Sequence, residues 1–421
     1  MKWYEFYRKR EKAIINPYYL FFSVHLLVFF LYSLKWSELY PNLSIETILF
    51  FVLILCIALI YGFLFQFKKV VTYKKLNNNK IETFIRKSFI FLFVSYLLDF
   101  IICGYIPLIS LFDNSGNSYG DFGIPFFHVL IVTYNGFFAT FYFYYLISQE
   151  KIKLSKCIIF ILLLFPFILL VLRGTLIMIL INCVQLYVLK VLSKRSFLKT
   201  ATLFFSVSAL GIATSYLFGL FGNIRNNSLY NYVGTLNDST LFLKIGQASE
   251  EFKNSIIPDW FFWVYSYITS PIANFQNTVL IDDNRNISFD NIVNFINYEF
   301  FPDFLSSRIE NILNLKNDAA ANLITPELSV STGYIGSFYN LSWLGVILFI
   351  AFLFSFSAFY ILFLKKNSPD FFLTGVVTLN TICMLILFTN TWTFSGLSFQ
   401  LIFPIMFIVF NKIRLFNKGD I

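Results

Sequence analysis

The chain has 421 residues, 57% of them hydrophobic and only 13% charged, with a mean hydropathy of +0.70. A soluble domain carries about 25% charged residues, so a soluble cytosolic enzyme is excluded and an integral membrane protein is expected. The net charge of +9 would allow a nucleic-acid partner only if it were concentrated on one face, and its distribution argues otherwise.

In chain order, a basic N-terminus (Lys2, Arg8, Lys9, Arg10, Lys12) leads into an apolar run at residues 17–36 with no small-residue cleavage site, which reads as a retained first helix. Further runs fall near 45–67, 88–112, 124–147, 156–172, 174–192, 199–221, 336–364, 370–389 and 396–415, making ten candidate spans. Only Arg173 and Gly174 interrupt the 35 residues from Ile158 to Leu192. One span needs roughly 20 residues, so the stretch divides there. The expected fold is all-α, a polytopic membrane helix bundle with helices 1–7 in residues 1–221, a large extracytoplasmic loop at 222–334, and helices 8–10 in residues 335–421.

The connections differ strongly in charge. With the N-terminus inside, 24 of the 32 basic residues fall on the cytoplasmic side, so the +9 divides into about +18 inside, −8 outside and Asp99 within a helix. That is a topology signal under the positive-inside rule, not a nucleic-acid footprint. Both termini are expected in the cytoplasm. The five cysteines all lie in apolar runs, so no disulfide framework or thiolate metal site is implied. The segment 222–334 is 113 residues long, too long for an idle connection. Within it, residues 256–271 are aromatic and amphipathic, and are expected at the membrane surface with Trp260 and Trp263 at headgroup depth.

Several chemistries drop out. There is no P-loop, no His-Glu-x-x-His pattern and no Cys-x-x-Cys pair. The acid pairs Glu250–Glu251 and Asp282–Asp283 read as solvated surface charge. Arg173, between two apolar runs, either snorkels to the headgroups or is retained for an anion. Arg225 follows the seventh run, and two arginines at one membrane face suit a lipid phosphate or pyrophosphate, whose oxygens accept bidentate bonds. Asp121 and His128 frame the fourth helix, with His128 about one and a half turns in. His128 is either a packed residue or an acid–base group. Glu327 and Tyr334 close the long loop and read equally as a helix-entry segment.

Taken in order, these pieces resemble the bacterial oligosaccharide repeat-unit polymerases, the Wzy-type O-antigen and capsule polymerases. The resemblance rests on residues 121–128, on Leu172-Arg173-Gly174-Thr175, on the run from Phe221 to Arg225, on 263–274 and on 332–345. It implies a GT-C-type glycosyltransferase in the bacterial cytoplasmic membrane, acting on undecaprenyl-pyrophosphate-linked oligosaccharides at the outer face. Arg173 and Arg225 match arginines of the family and would hold the pyrophosphate, with Arg285, Arg308 and Tyr334 completing the substrate-binding set. His128, Glu327 and Asp121 are the candidates for general base. No cofactor or metal is required, and a chain-length regulator and a flippase are the implied protein partners.

Three rivals remain open at this level. An O-antigen ligase shares the layout but carries a histidine in its large outer loop, and residues 222–334 contain none. A lipid-linked oligosaccharide flippase would have more spans and shorter loops. A structural protein of an export complex has no distinguishing motif.

Overall fold

Each of the ten apolar runs contains helix, and the helix boundaries have local causes. The computed structural model describes residues 15–67, 70–76, 79–110, 119–193, 197–232, 234–235, 237–282 and 287–416. Helix α1 (Pro17–Ser33) starts where Asn16 Oδ1 accepts the Tyr19 N–H at 3.0 Å and Pro17 takes the first helical position, where its missing N–H costs nothing. Against it lies α2 (Ile45–Phe67). The Tyr19 ring comes 2.6 Å from where a Cβ on Gly62 would stand, so this close approach needs glycine.

The chain continues through α3 (Asn79–Cys103), α4 (Phe127–Ser148), α5 (Leu154–Leu169), α6 (Arg173–Ser193) and α7 (Phe197–Leu229). The break between α5 and α6 is made by Val171 at φ 59°, after which the Leu172 N–H returns to Phe167 O at 2.8 Å. Next come α8 (Phe261–Ile281), α9 (Phe289–Phe300) and α10 (Asp303–Leu313), then α11 (Ile335–Asn367), kinked at Leu341 and Ser342. The chain ends with α12 (Phe372–Leu385), a short turn of helix at Ser395–Ser398, and α13 (Ile402–Phe416).

The described residues are all-helical, with one isolated bridge between Ser37 and Ala248. By length and composition five helices can cross a membrane, namely α2, α4, α6, α7 and α11. Shorter apolar helices include α1, α5 and α12. The core is built on α4 and α12, which are buried over most of their length. Inside it, Asn182 and Gln185 of α6 hydrogen-bond Thr378, Asn380 and Thr381 of α12 at 2.6–3.4 Å. Where neighbouring helices gain little from apolar burial against lipid, such bonds help fix which faces meet.

The region 222–334 is itself largely helical, and its near boundary falls inside α7. Trp263, expected at headgroup depth, is wholly buried. Its ring stacks on Phe242 at 3.4 Å and its Nε1–H donates to Asn223 Oδ1 at 2.7 Å. The reason is that α8 packs against α7 and α1, so its aromatic face covers protein. Phe252, Phe262 and Tyr265 complete that second core, against Trp36 and Tyr40 of the α1–α2 connection.

Connections of like expected sidedness meet one another. Tyr144 binds Lys74 O, Tyr145 OH donates to Glu82 at 2.8 Å, Lys75 pairs with Glu150 at 3.1 Å, and Lys190 Nζ reaches Ile147 O at 2.5 Å. At the other ends, the Ser249 N–H donates to Trp36 O at 2.9 Å and the Asp303 N–H to Thr393 O at 2.7 Å.

Candidate functional site

Asp99 lies four residues before the end of α3 and is fully buried. A carboxylate in such a place is stable only with donors on its oxygens. The segment between α3 and α4 supplies them. Gly123 adopts φ 109°, and the His128 ring fills the space a Cβ there would need; backbone and space both demand glycine. The turn delivers the Ile124 N–H to Asp99 Oδ1 at 2.9 Å. Helix α4 then begins, and His128, its second residue, sets Nδ1 2.6 Å from Asp99 Oδ2. The histidine is thus in the first turn, earlier than the apolar run suggested, because the run's first residues form the turn over Asp99.

The arrangement is that of an oriented base. With Asp99 ionised, Nδ1 carries the proton and donates it, so Nε2 presents a lone pair. His128 lines a cavity of about 200 Å³ together with Phe122, Thr133, Leu172, Thr175 and Ser395. Arg173 is the first residue of α6, between Leu172 and Thr175 in sequence. It is exposed and has no ion-pair partner among the described residues.

Arg308 stands near the same site. Its guanidinium lies 3.8 Å over the Phe126 ring and 4.3 Å over Phe304, and it donates to Phe304 O. The Phe304 N–H in turn donates to Ser395 Oγ at 2.8 Å. Arg308 therefore braces Phe126, which at φ 66° is strained just before His128.

The remaining candidates lie elsewhere. Arg225 donates to Tyr267 OH at 2.9 Å and faces the Trp263 ring at 5.8 Å. Glu327 accepts from Tyr230 and Thr325. Burial pushes its carboxyl up, but those two bonds and the Arg225 charge outweigh burial and hold it below the usual carboxylate range. Such a carboxylate is a weak base. Tyr334 is fully buried, its hydroxyl 2.6 Å from His25 Nε2, a core contact. Asp121 is the exception: it is exposed and does not itself line the His128 cavity, but it stands between Gly120 and Phe122, which do. Arg285 lies outside the described residues, as does Asp283.

The structure thus joins His128 and Arg308 around one loop, leaves Arg173 exposed next in sequence to the cavity residue Leu172, and places Arg225 with Glu327 in another region. Asp99 is the residue that the sequence-based site lacked. Its signal was available: it is the lone acid inside an apolar run, and an ionisable group there calls for a named partner. No family model, curated protein or solved structure matches the chain.

Proposed function

We propose that this protein is a membrane glycosyltransferase that polymerises polyprenyl-pyrophosphate-linked oligosaccharide repeat units at the outer face of the bacterial cytoplasmic membrane. The observation that supports it is the Asp99–His128 pair, 2.6 Å apart, at a cavity whose lining residue Leu172 is followed in sequence by Arg173, which has no ion-pair partner among the described residues. Ten spans, cytoplasmic termini and an outward 222–334 region belong to this reading, and the 24 to 8 division of basic residues supports them.

In this reading His128 Nε2 takes the proton of the acceptor hydroxyl as its oxygen attacks the anomeric carbon. The bond from that carbon to the pyrophosphate oxygen breaks, and the lipid pyrophosphate leaves with the electron pair. Asp99 stabilises the imidazolium that forms. Arg173 holds the departing anion, where preorganised positive charge contributes most. Arg225 contacts the substrate farther along, and Arg308 keeps the His128 loop in place. A flippase that supplies the units and a regulator of chain length are the partners this activity calls for.

The test is polysaccharide laddering in cells carrying His128→Gln, Asp99→Asn or Arg173→Ala, with membrane abundance measured alongside. Loss of polymer with accumulation of single lipid-linked units at the outer face is expected. Units trapped inside would mark a transporter instead, and full-length polymer from normally abundant His128→Gln protein would overturn the assignment.

A further inference from the structure

At the end of the bundle away from His128 lies a crevice of a different character, with a volume of about 340 Å³. Lys190 in the last turn of α6 and Lys199 in the first turn of α7 line it, with Tyr187, Thr202 and Ser206. Tyr187 and Lys190 are three residues apart on α6, and Lys199, Thr202 and Ser206 follow at three and four on α7, so each helix turns one face to the crevice. No acid is among its described lining residues.

Lys190 Nζ donates to Ile147 O at 2.5 Å, one residue before the end of α4, which fixes the ammonium against the bundle. Lys199 is exposed and has no ion-pair partner among the described residues. From His128 to Ile147 the helix rises about 28 Å, close to a hydrocarbon core of about 30 Å. The two lysines therefore stand at the opposite membrane boundary from the Asp99–His128 pair, at the depth of headgroup phosphates.

Toward the middle of the bundle the same helix faces turn apolar. On α6, Val184, Leu180 and Ile177 continue the Tyr187 face and are exposed, and on α7 the exposed Leu210 and Leu217 continue the Ser206 face. Helix α7 exposes almost all of its apolar span. Two positive charges at headgroup depth beside two exposed apolar faces complement an anion that carries acyl chains. A soluble anion would use the lysines alone, and a zwitterionic lipid would bring its own cation against them.

We propose that this crevice binds one anionic phospholipid, its phosphate between Lys190 and Lys199 and its acyl chains along α6 and α7. The Ser206 and Tyr187 hydroxyls add donors to the phosphate oxygens. Helix α7 packs on α8 through Gly219 and Gly222 near its other end, so the lipid braces the end that begins at Lys199. The site is independent of the glycosyltransferase reading.

The test uses the full chain, delipidated in detergent. Native mass spectrometry and the midpoint of thermal aggregation are followed with dioleoyl phosphatidylglycerol, dioleoyl phosphatidylcholine, inorganic phosphate and hexaglutamate as probes. One phosphatidylglycerol should be retained per chain, and the midpoint should rise with its concentration. Lys190→Gln with Lys199→Gln should weaken its apparent affinity roughly tenfold. Lys190→Arg with Lys199→Arg should keep it, which separates loss of charge from loss of fold. Ser206→Trp, which fills the crevice and leaves both charges, should weaken it as well. Lys153→Gln, exposed at the same end but outside the crevice, should change nothing. Phosphatidylcholine held as tightly as phosphatidylglycerol, or an equal loss from Lys153→Gln, would overturn the proposal. A midpoint shift of the same size from inorganic phosphate or hexaglutamate would assign the lysines to a soluble anion or an acidic protein segment, and would overturn it equally.

Discussion

A carboxylate inside an apolar helix is kept only where donors reach both its oxygens, and Asp99 has them from Ile124 and His128. Asn at this position can still accept the Ile124 N–H, so Asp99→Asn should reach the membrane at normal abundance. It presents no negative charge to the imidazolium, and polymer formation should fall by roughly 10²–10⁴-fold. Normal laddering from that variant would show that His128 needs no partner. Gly123→Ala should be as damaging although it removes no chemical group, because its Cβ would displace the histidine. Arg173→Lys should not recover the loss of Arg173→Ala, since an ammonium cannot engage two phosphate oxygens in one plane. Glu327, already held ionised by its donors, should tolerate Gln with most activity retained, and a loss equal to that of His128→Gln would reassign the base.

The helices break where a single residue accepts an unfavourable conformation. Val171 at φ 59° ends the α5 turn and directs Arg173 to the start of α6, although a β-branched residue disfavours that region. Val171→Gly should therefore leave thermal stability within about 1 kcal/mol of the natural chain, relief of strain offsetting the added freedom of the unfolded state. Val376→Gly, fully buried in α12, should cost several kcal/mol through the helix and the cavity together. Midpoints of thermal aggregation in detergent give the comparison, and equal losses at the two sites would remove strain as the cause of the break. The apolar pattern alone located this break to within three residues because 35 residues cannot form one span. It could not locate the α11 kink at Ser342, because the polar and small residues around it, Asn340, Ser342 and Gly345, are of the kind that α12 carries without a kink at Thr378, Asn380 and Thr381.

Across the whole molecule, α9 is tied to the end of the bundle by a buried acid. Glu299 accepts from Ser337 at 2.8 Å and Asn390 at 3.0 Å, with no cation partner among the described residues. Burial pushes its carboxyl up to about 8, against the two donors. A raised carboxyl pKa means the folded state binds the proton more tightly than the unfolded chain. Stability is then greatest below the ordinary carboxylate range and declines as pH rises toward 8. Glu299→Gln should flatten that decline, matching the natural chain near pH 5 and exceeding it above pH 8. Aggregation midpoints from pH 5 to 9 test this, and a natural chain that grows more stable across that window would refute it. Because α10 carries Arg308 to Phe126, loosening this tie should also lower activity.

Composition and run length by themselves determined that the chain is helical and apolar enough for a membrane, and each apolar run they marked contains helix, five of the helices being long and apolar enough to cross, because those properties are sums over local residues. Individual residues were legible only in part. His128 and Arg173 stood out as polar groups at the edges of apolar runs; His128 lines a cavity, and Arg173 is exposed next in sequence to one of its lining residues, Leu172. The tertiary structure alone decided that Asp99 on one helix meets His128 on another, that Arg225 belongs with Glu327 and Tyr267, and that Trp263 is buried in protein. Those outcomes depend on which helix faces pack together, and an apolar run with polar residues on several sides does not say which neighbour each side will find.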